Sequence, residues 1–121
     1  TLRAHGTDVV ASYATVEVET TTMLAATCAG LGQRAFVGRV GMDHPEGTPE
    51  WYRDADAAAG IDASRRSIEG IRALASPLVQ PIVTPRFTPA CTDELLAGLG
   101  ALAAETSTII QTHCSESDWQ H

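Results

Sequence analysis

Short apolar runs alternate with longer stretches of helical periodicity throughout this sequence, and few folds accept that pattern. Thr1 to His5 reads as the last turn of a helix, with Gly6 as its stop, since glycine takes a left-handed backbone cheaply. Asp8 to Ala14 is apolar and β-compatible and reads as a buried strand. Glu19 to Leu31 follows as a helix, with Met23, Ala26, Cys28 and Leu31 as its expected apolar set and Gly32 as its stop. Ala35 to Met42 is a second strand, and the turn formers from Asp43 to Pro49 make a loop. Ile61, Ile68, Ile71 and Leu74 fall near helical spacing over 61–74, which Pro77 closes. Leu78 to Thr84 is a third strand, although Pro81 cannot donate to a ladder. Thr92 suits an N-cap for a helix over 93–105 striped by Leu95, Leu96, Leu99 and Leu102, and Ser107 to Thr112 is a fourth strand.

Strands that are nearly continuous in apolar residues and alternate with helices imply a parallel sheet covered by helices, hence an α/β fold. Two architectures satisfy this: a doubly wound sheet and a segment of a (β/α)8 barrel. No glycine-rich phosphate turn follows the first strand, so the dinucleotide-binding version of the first has no support. Both put their chemistry at the carboxyl ends of the strands.

At those ends stand Arg86 and Phe87 after the third strand, and His113 and Glu116 after the fourth. A neutral imidazole is a good ligand for zinc or ferrous iron, and a carboxylate nearby can shuttle protons for a bound water. The bland alternative makes His113 a hydrogen-bonded strand-end residue and Glu116 a helix-cap acid. Arg86 lies between Pro85 and Pro89, which stiffen its loop; its planar fork suits a carbonyl and ring nitrogen of a heterocycle, with Phe87 lining the pocket. Equally, Arg86 could be a surface arginine paired with Asp93 or Glu94. His44, His5 and His121 carry little weight: they sit in a loop, at a helix end and at the last position. Cys114 beside His113 has no activating arrangement beyond adjacency, and Cys28 and Cys91 read as packing residues.

Charge narrows the function classes. Eight basic against 15 acidic residues give a net charge of −7, which argues against a phosphate-backbone partner. No apolar run approaches the length needed to span a bilayer, and no secretory leader opens the sequence. Three scattered cysteines read as free thiols in a reducing compartment, which makes the cytoplasm the expected location. The sequence starts at Thr1 without a methionine and stops at His121, both where a domain would continue, so a fragment is expected.

Three segments carry a resemblance: Gly32 to Val40, Pro81 to Phe87, and Ile110 to Glu116. Through them the chain resembles the guanine deaminase family of the amidohydrolase superfamily along almost its whole length. That resemblance implies that residues 1–121 form part of a distorted (β/α)8 TIM barrel, with strands two to five of eight. It implies a catalytic metal, usually zinc with iron possible, to which His113 is the strand-five ligand. It implies Glu116 as the proton shuttle, and Arg86 with Phe87 as the contacts to guanine, which the full-length enzyme would hydrolyse to xanthine and ammonia, as a homodimer. The chain departs from the family pattern in having no His-x-His pair and no later ligands, so the segment alone is expected to be inactive. Two rivals stay open: a related deaminase or chlorohydrolase acting on another heterocycle, and a non-catalytic α/β module.

Overall fold

A computed structural model describes residues 2–116 and 118. The first regular element is a single 3-10 turn, Arg3–His5, closed by Gly6 at φ 86°, the left-handed stop that the sequence predicts. Strand β1 is Val9–Tyr13 and helix α1 is Val18–Gly30. The expected second strand divides into β2, Arg34–Gly38, and β3, Val40–Gly41. A 3-10 turn, Glu50–Tyr52, precedes helix α2, Ala57–Ala73. The expected third strand likewise divides, into β4, Val79–Pro81, and β5, Thr84–Pro85. A further 3-10 turn, Thr88–Ala90, leads into helix α3, Asp93–Thr106.

All strand pairs are parallel. β1 runs beside β2 from Val9 against Arg34 to Tyr13 against Gly38, and β2 runs beside β4 from Ala35 against Val79 to Val37 against Pro81. β3 then pairs with β5, Val40 against Thr84. The expected fourth strand is reduced to a bridge between Val83 and Ile110, held by the Val83 amide on the Ile109 carbonyl and the Gln111 amide on the Val83 carbonyl. With β2 and β3 counted as one interrupted strand, and β4 and β5 as another, each strand lies beside the one before it in sequence, with no reversal of order. Pro81 is tolerated because successive amides of a strand point to opposite sides. The Ile82 amide is the one that bonds to β2, at Val37, so position 81 faces away from that ladder.

Thr92 caps α3 as the sequence predicts, whereas α2 starts four residues earlier than its apolar spacing suggests because Asp56 caps it. The Thr92 hydroxyl accepts the Leu95 amide at 3.2 Å, and the Asp56 carboxylate accepts the Ala59 amide at 2.8 Å. Leu95, Leu99 and Leu102 of α3 bury against Ile68 of α2 and Val83, forming one core. Ala25, Ala35, Val37, Ile71 and Val79 form a second, between α1, α2 and the sheet. The expected apolar set of α1 is the one that fails. Met23, Ala26 and Leu31 are exposed, Cys28 is half-buried, and the buried positions are Thr21 and Ala25. This helix is small and mildly apolar all round, so spacing does not pick its face. Thr21 enters the core because its hydroxyl is satisfied within the helix, by the Glu17 carbonyl at 2.7 Å.

The division of the second strand has a specific cause. Arg39 sits between β2 and β3 with its side chain turned inward, where it pairs with Asp54; both are almost completely buried. The guanidinium also donates to the Val16 carbonyl at 2.8 Å and the Gly60 carbonyl at 3.4 Å. The Asp54 carboxylate accepts the Met42 amide at 3.1 Å. Gly60 is required there: a Cβ on it would lie 2.8 Å from Asp54 Oδ2. Removing one partner of a buried pair leaves the other charge unsatisfied, which costs about 3–5 kcal/mol. Asp54→Ala should lose stability of that order in a denaturant titration, whereas Glu105→Ala, which breaks the exposed pair with Arg65, should lose much less. Equal losses for the two variants would contradict this account.

Candidate functional site

The site is built where β5 and the 109–113 segment end together. Beyond Pro85 the Arg86 amide still bonds to the Gly41 carbonyl at 3.0 Å, so the residue is held in the sheet while its side chain leaves it. The Arg86 carbonyl in turn accepts the His113 amide at 3.1 Å. It also lies 2.9 Å from His113 Nδ1. A carbonyl can only accept, so Nδ1 carries the hydrogen and Nε2 keeps the lone pair. That is the tautomer a metal ligand needs, with its second nitrogen oriented by a backbone carbonyl.

Three further groups, Tyr13, Met42 and Gln111, complete the surroundings. The Tyr13 ring lies against the His113 ring, centroids 4.1 Å apart and planes tilted by 35°. Burial pushes the Tyr13 phenol up from its ordinary value, so it is protonated at neutral pH. Arg86 Nη1 reaches Met42 Sδ at 3.6 Å, a thioether fixed in turn by the Asp54 bond to its amide. Gln111 donates to the Ser12 carbonyl at 3.1 Å and to Thr84 Oγ1 at 3.0 Å, pinning the last segment to the ends of β1 and β5.

Arg86 and His113 thus open on one hollow of about 420 Å³, lined also by Tyr13, Ala14, Val40, Met42, Pro49 and Tyr52. An apolar and aromatic wall with one cation and one imidazole is suited to a flat heterocycle. Phe87 does not line it. Its ring centroid lies 5.3 Å from Arg86 Cζ, within cation–π range, and it faces a neighbouring hollow of about 770 Å³ with His44, Glu46, Cys91 and Asp93. Arg86 has no ion pair with Asp93 or Glu94 among the described residues. Glu116 is exposed, three positions beyond His113. His44 lines that second hollow, and its Nδ1 accepts the Glu46 amide at 3.2 Å. His5 is in the opening 3-10 turn, and His121 lies outside the described residues.

Among the described residues no group of three or more His, Cys, Asp or Glu side chains could hold a metal ion. His113 Nε2 is the ring nitrogen left with a lone pair, the donor that a metal ion would take. Tyr13, Gln111 and Met42 are parts of this site that sequence reading misses. No local motif marks them, and the Gln111 contact to Ser12 spans 99 positions.

Comparison with known proteins gives a consistent result. The model of the amidohydrolase family matches residues 1–121. A guanine deaminase of Dictyostelium discoideum is 44% identical over 113 residues, which is 93% of this chain and 24% of that protein. A probable guanine deaminase of Schizosaccharomyces pombe is 36% identical over 116 residues, 94% of this chain and 22% of that protein. The crystal structure of guanine deaminase from C. acetobutylicum, with guanine bound in its active site, superposes with a TM-score of 0.88 at 32% identity, over 97% of this chain and 27% of that one. The chain thus spans about a quarter of the length of the curated relatives it matches. The strand–helix units described above are a partial (β/α)8 barrel, which decides between the two architectures that the sequence leaves open.

Cys91 provides a local test of this packing. Burial pushes its thiol up to about 11, and Asp43 and Asp54 add to the rise, against backbone hydrogen bonds from Phe87 and Arg86. A raised folded-state pKa favours the neutral thiol, so its contribution is full below about pH 9, the ordinary value, and is lost as pH rises toward 11. Alkylation at about pH 8 should leave Cys91 unmodified until denaturant is added. Modification of Cys91 in the native protein at the rate seen in denaturant would contradict the packing around it.

Proposed function

We propose that this chain, which belongs to the amidohydrolase family along its whole length, is part of a metal-dependent guanine deaminase that hydrolyses guanine to xanthine and ammonia. The observation that carries this reading is the convergence of the Arg86 guanidinium and the His113 imidazole on one apolar, aromatic hollow. The kinship with guanine deaminases in sequence, and with a guanine-bound structure in fold, supports the choice of substrate.

His113 Nε2 would hold the metal, zinc in our reading with ferrous iron as the alternative, because Nδ1 is committed to the Arg86 carbonyl. The metal, when bound, supplies Lewis-acid activation of water at neutral pH. Glu116 takes the proton that the attacking water gives up and returns it to the ring and the departing amine. Arg86 donates to the carbonyl edge of the purine, its guanidinium steadied by the Met42 thioether on one contact and by the Phe87 ring on another. Phe87 thereby acts on guanine through Arg86. Adenine presents an amine donor at the corresponding edge and would leave the guanidinium unpaired, so the site would select guanine over adenine.

The remaining ligands would come from parts of the full-length protein outside this segment. No helix among the described residues is long and apolar enough to cross a membrane, and we place the enzyme in the cytoplasm.

Purified full-length protein should release xanthine and ammonia from guanine and leave adenine untouched. Losing a charged hydrogen bond costs about 1.5–3 kcal/mol, so Arg86→Ala should lower kcat/KM by about 10- to 100-fold. Glu116→Gln should lower kcat by about 10²–10⁴-fold. The isolated 121-residue chain should turn over no guanine. Turnover of another heterocycle in preference to guanine, with Arg86→Ala unimpaired, would favour a different deaminase and sink this reading.

A further inference from the structure

We propose that Tyr13 is a positioning residue for His113: its ring, delivered by the end of β1, fixes the plane of the imidazole and so aims Nε2 at the metal. This deepens the function proposed above and rests on His113 being a metal ligand. Two constraints are needed to fix a ring, one on an edge and one on a face. The Arg86 carbonyl supplies the first, at Nδ1. It leaves the imidazole free to swing about that hydrogen bond. The Tyr13 ring, 4.1 Å away and tilted by only 35°, covers a face and removes that freedom.

The fold supports Tyr13 from both sides. It is the last residue of β1, in register with Gly38 of β2, and the Ala14 amide that follows bonds to the Gly38 carbonyl at 2.9 Å. Gln111 bonds to the Ser12 carbonyl, one position before Tyr13, from the segment that carries His113 two residues later. Both rings are therefore anchored to the end of β1. Tyr13 also packs beside Val40 and Met42, so a purely space-filling role must be separated from a ring-on-ring one.

The test uses the full-length protein and zinc affinity, measured by chelator competition. Tyr13→Phe keeps the ring and should keep wild-type affinity. Tyr13→Leu keeps apolar bulk without the flat ring and should weaken zinc binding by about 10- to 100-fold, the range for groups that orient a ligand. Melting temperatures of the two apo variants should agree. Wild-type zinc affinity in Tyr13→Leu, or an equal loss in Tyr13→Phe, overturns the proposal. His113→Ala separates the two claims. If it binds zinc as tightly as the wild type, the ligand assignment fails and Tyr13 fails with it. If His113→Ala weakens binding while Tyr13→Leu does not, only the role of Tyr13 falls.

Discussion

The buried carboxylate of Asp54 is the point on which the working end of this molecule hangs. Among the described residues its charged partner is Arg39, and the pair draws together the turn after β1 through Val16, the junction of β2 and β3, and the first turn of α2 through Gly60. Such a pair is costly to bury, so it contributes less to stability than to uniqueness: each donor and acceptor accepts one arrangement of its neighbours. The same carboxylate fixes Met42, and Met42 touches the guanidinium of Arg86. A second acid, Asp43, holds Thr92 through its amide at 2.7 Å and its hydroxyl at 2.6 Å, which ties the loop after β3 to the start of α3. Two adjacent carboxylate contacts thus clamp the loops that frame the site.

The site itself is a product of parallel strands laid side by side in sequence order. Because each ends at the same mouth, residues from β1, β3, β5 and the 109–113 segment meet there without any being close in sequence. The same peptide that carries Arg86 orients His113, so the proposed substrate contact and the proposed metal ligand are coupled through one carbonyl.

Much of this was legible in the residues. The apolar runs marked the strands, Thr92 marked the start of α3, and the positions after the third and fourth runs marked Arg86 and His113. The break in the second strand was hidden because Arg39 looks like a strand residue pointing to solvent, and its partner lies 15 positions on. The buried face of α1 was hidden because alanine and threonine surround that helix, and a threonine can satisfy its own hydroxyl. The Phe87 ring stands 5.3 Å from Arg86 Cζ and borders the neighbouring hollow, a placement that residue order alone does not give. Tyr13 and Gln111 gave no signal, since His113 and Ser12, which they touch, lie about a hundred positions away and only the parallel stacking of strands brings them near.

The central claim is that His113 and Arg86 belong to one metal-dependent guanine site. A crystal structure of the full-length protein with zinc and guanine tests it most directly. The account predicts zinc within about 2.0–2.1 Å of His113 Nε2 and the Arg86 guanidinium against the carbonyl edge of the purine. Zinc out of reach of His113, or guanine seated in the neighbouring hollow beside His44 and Phe87, would contradict it.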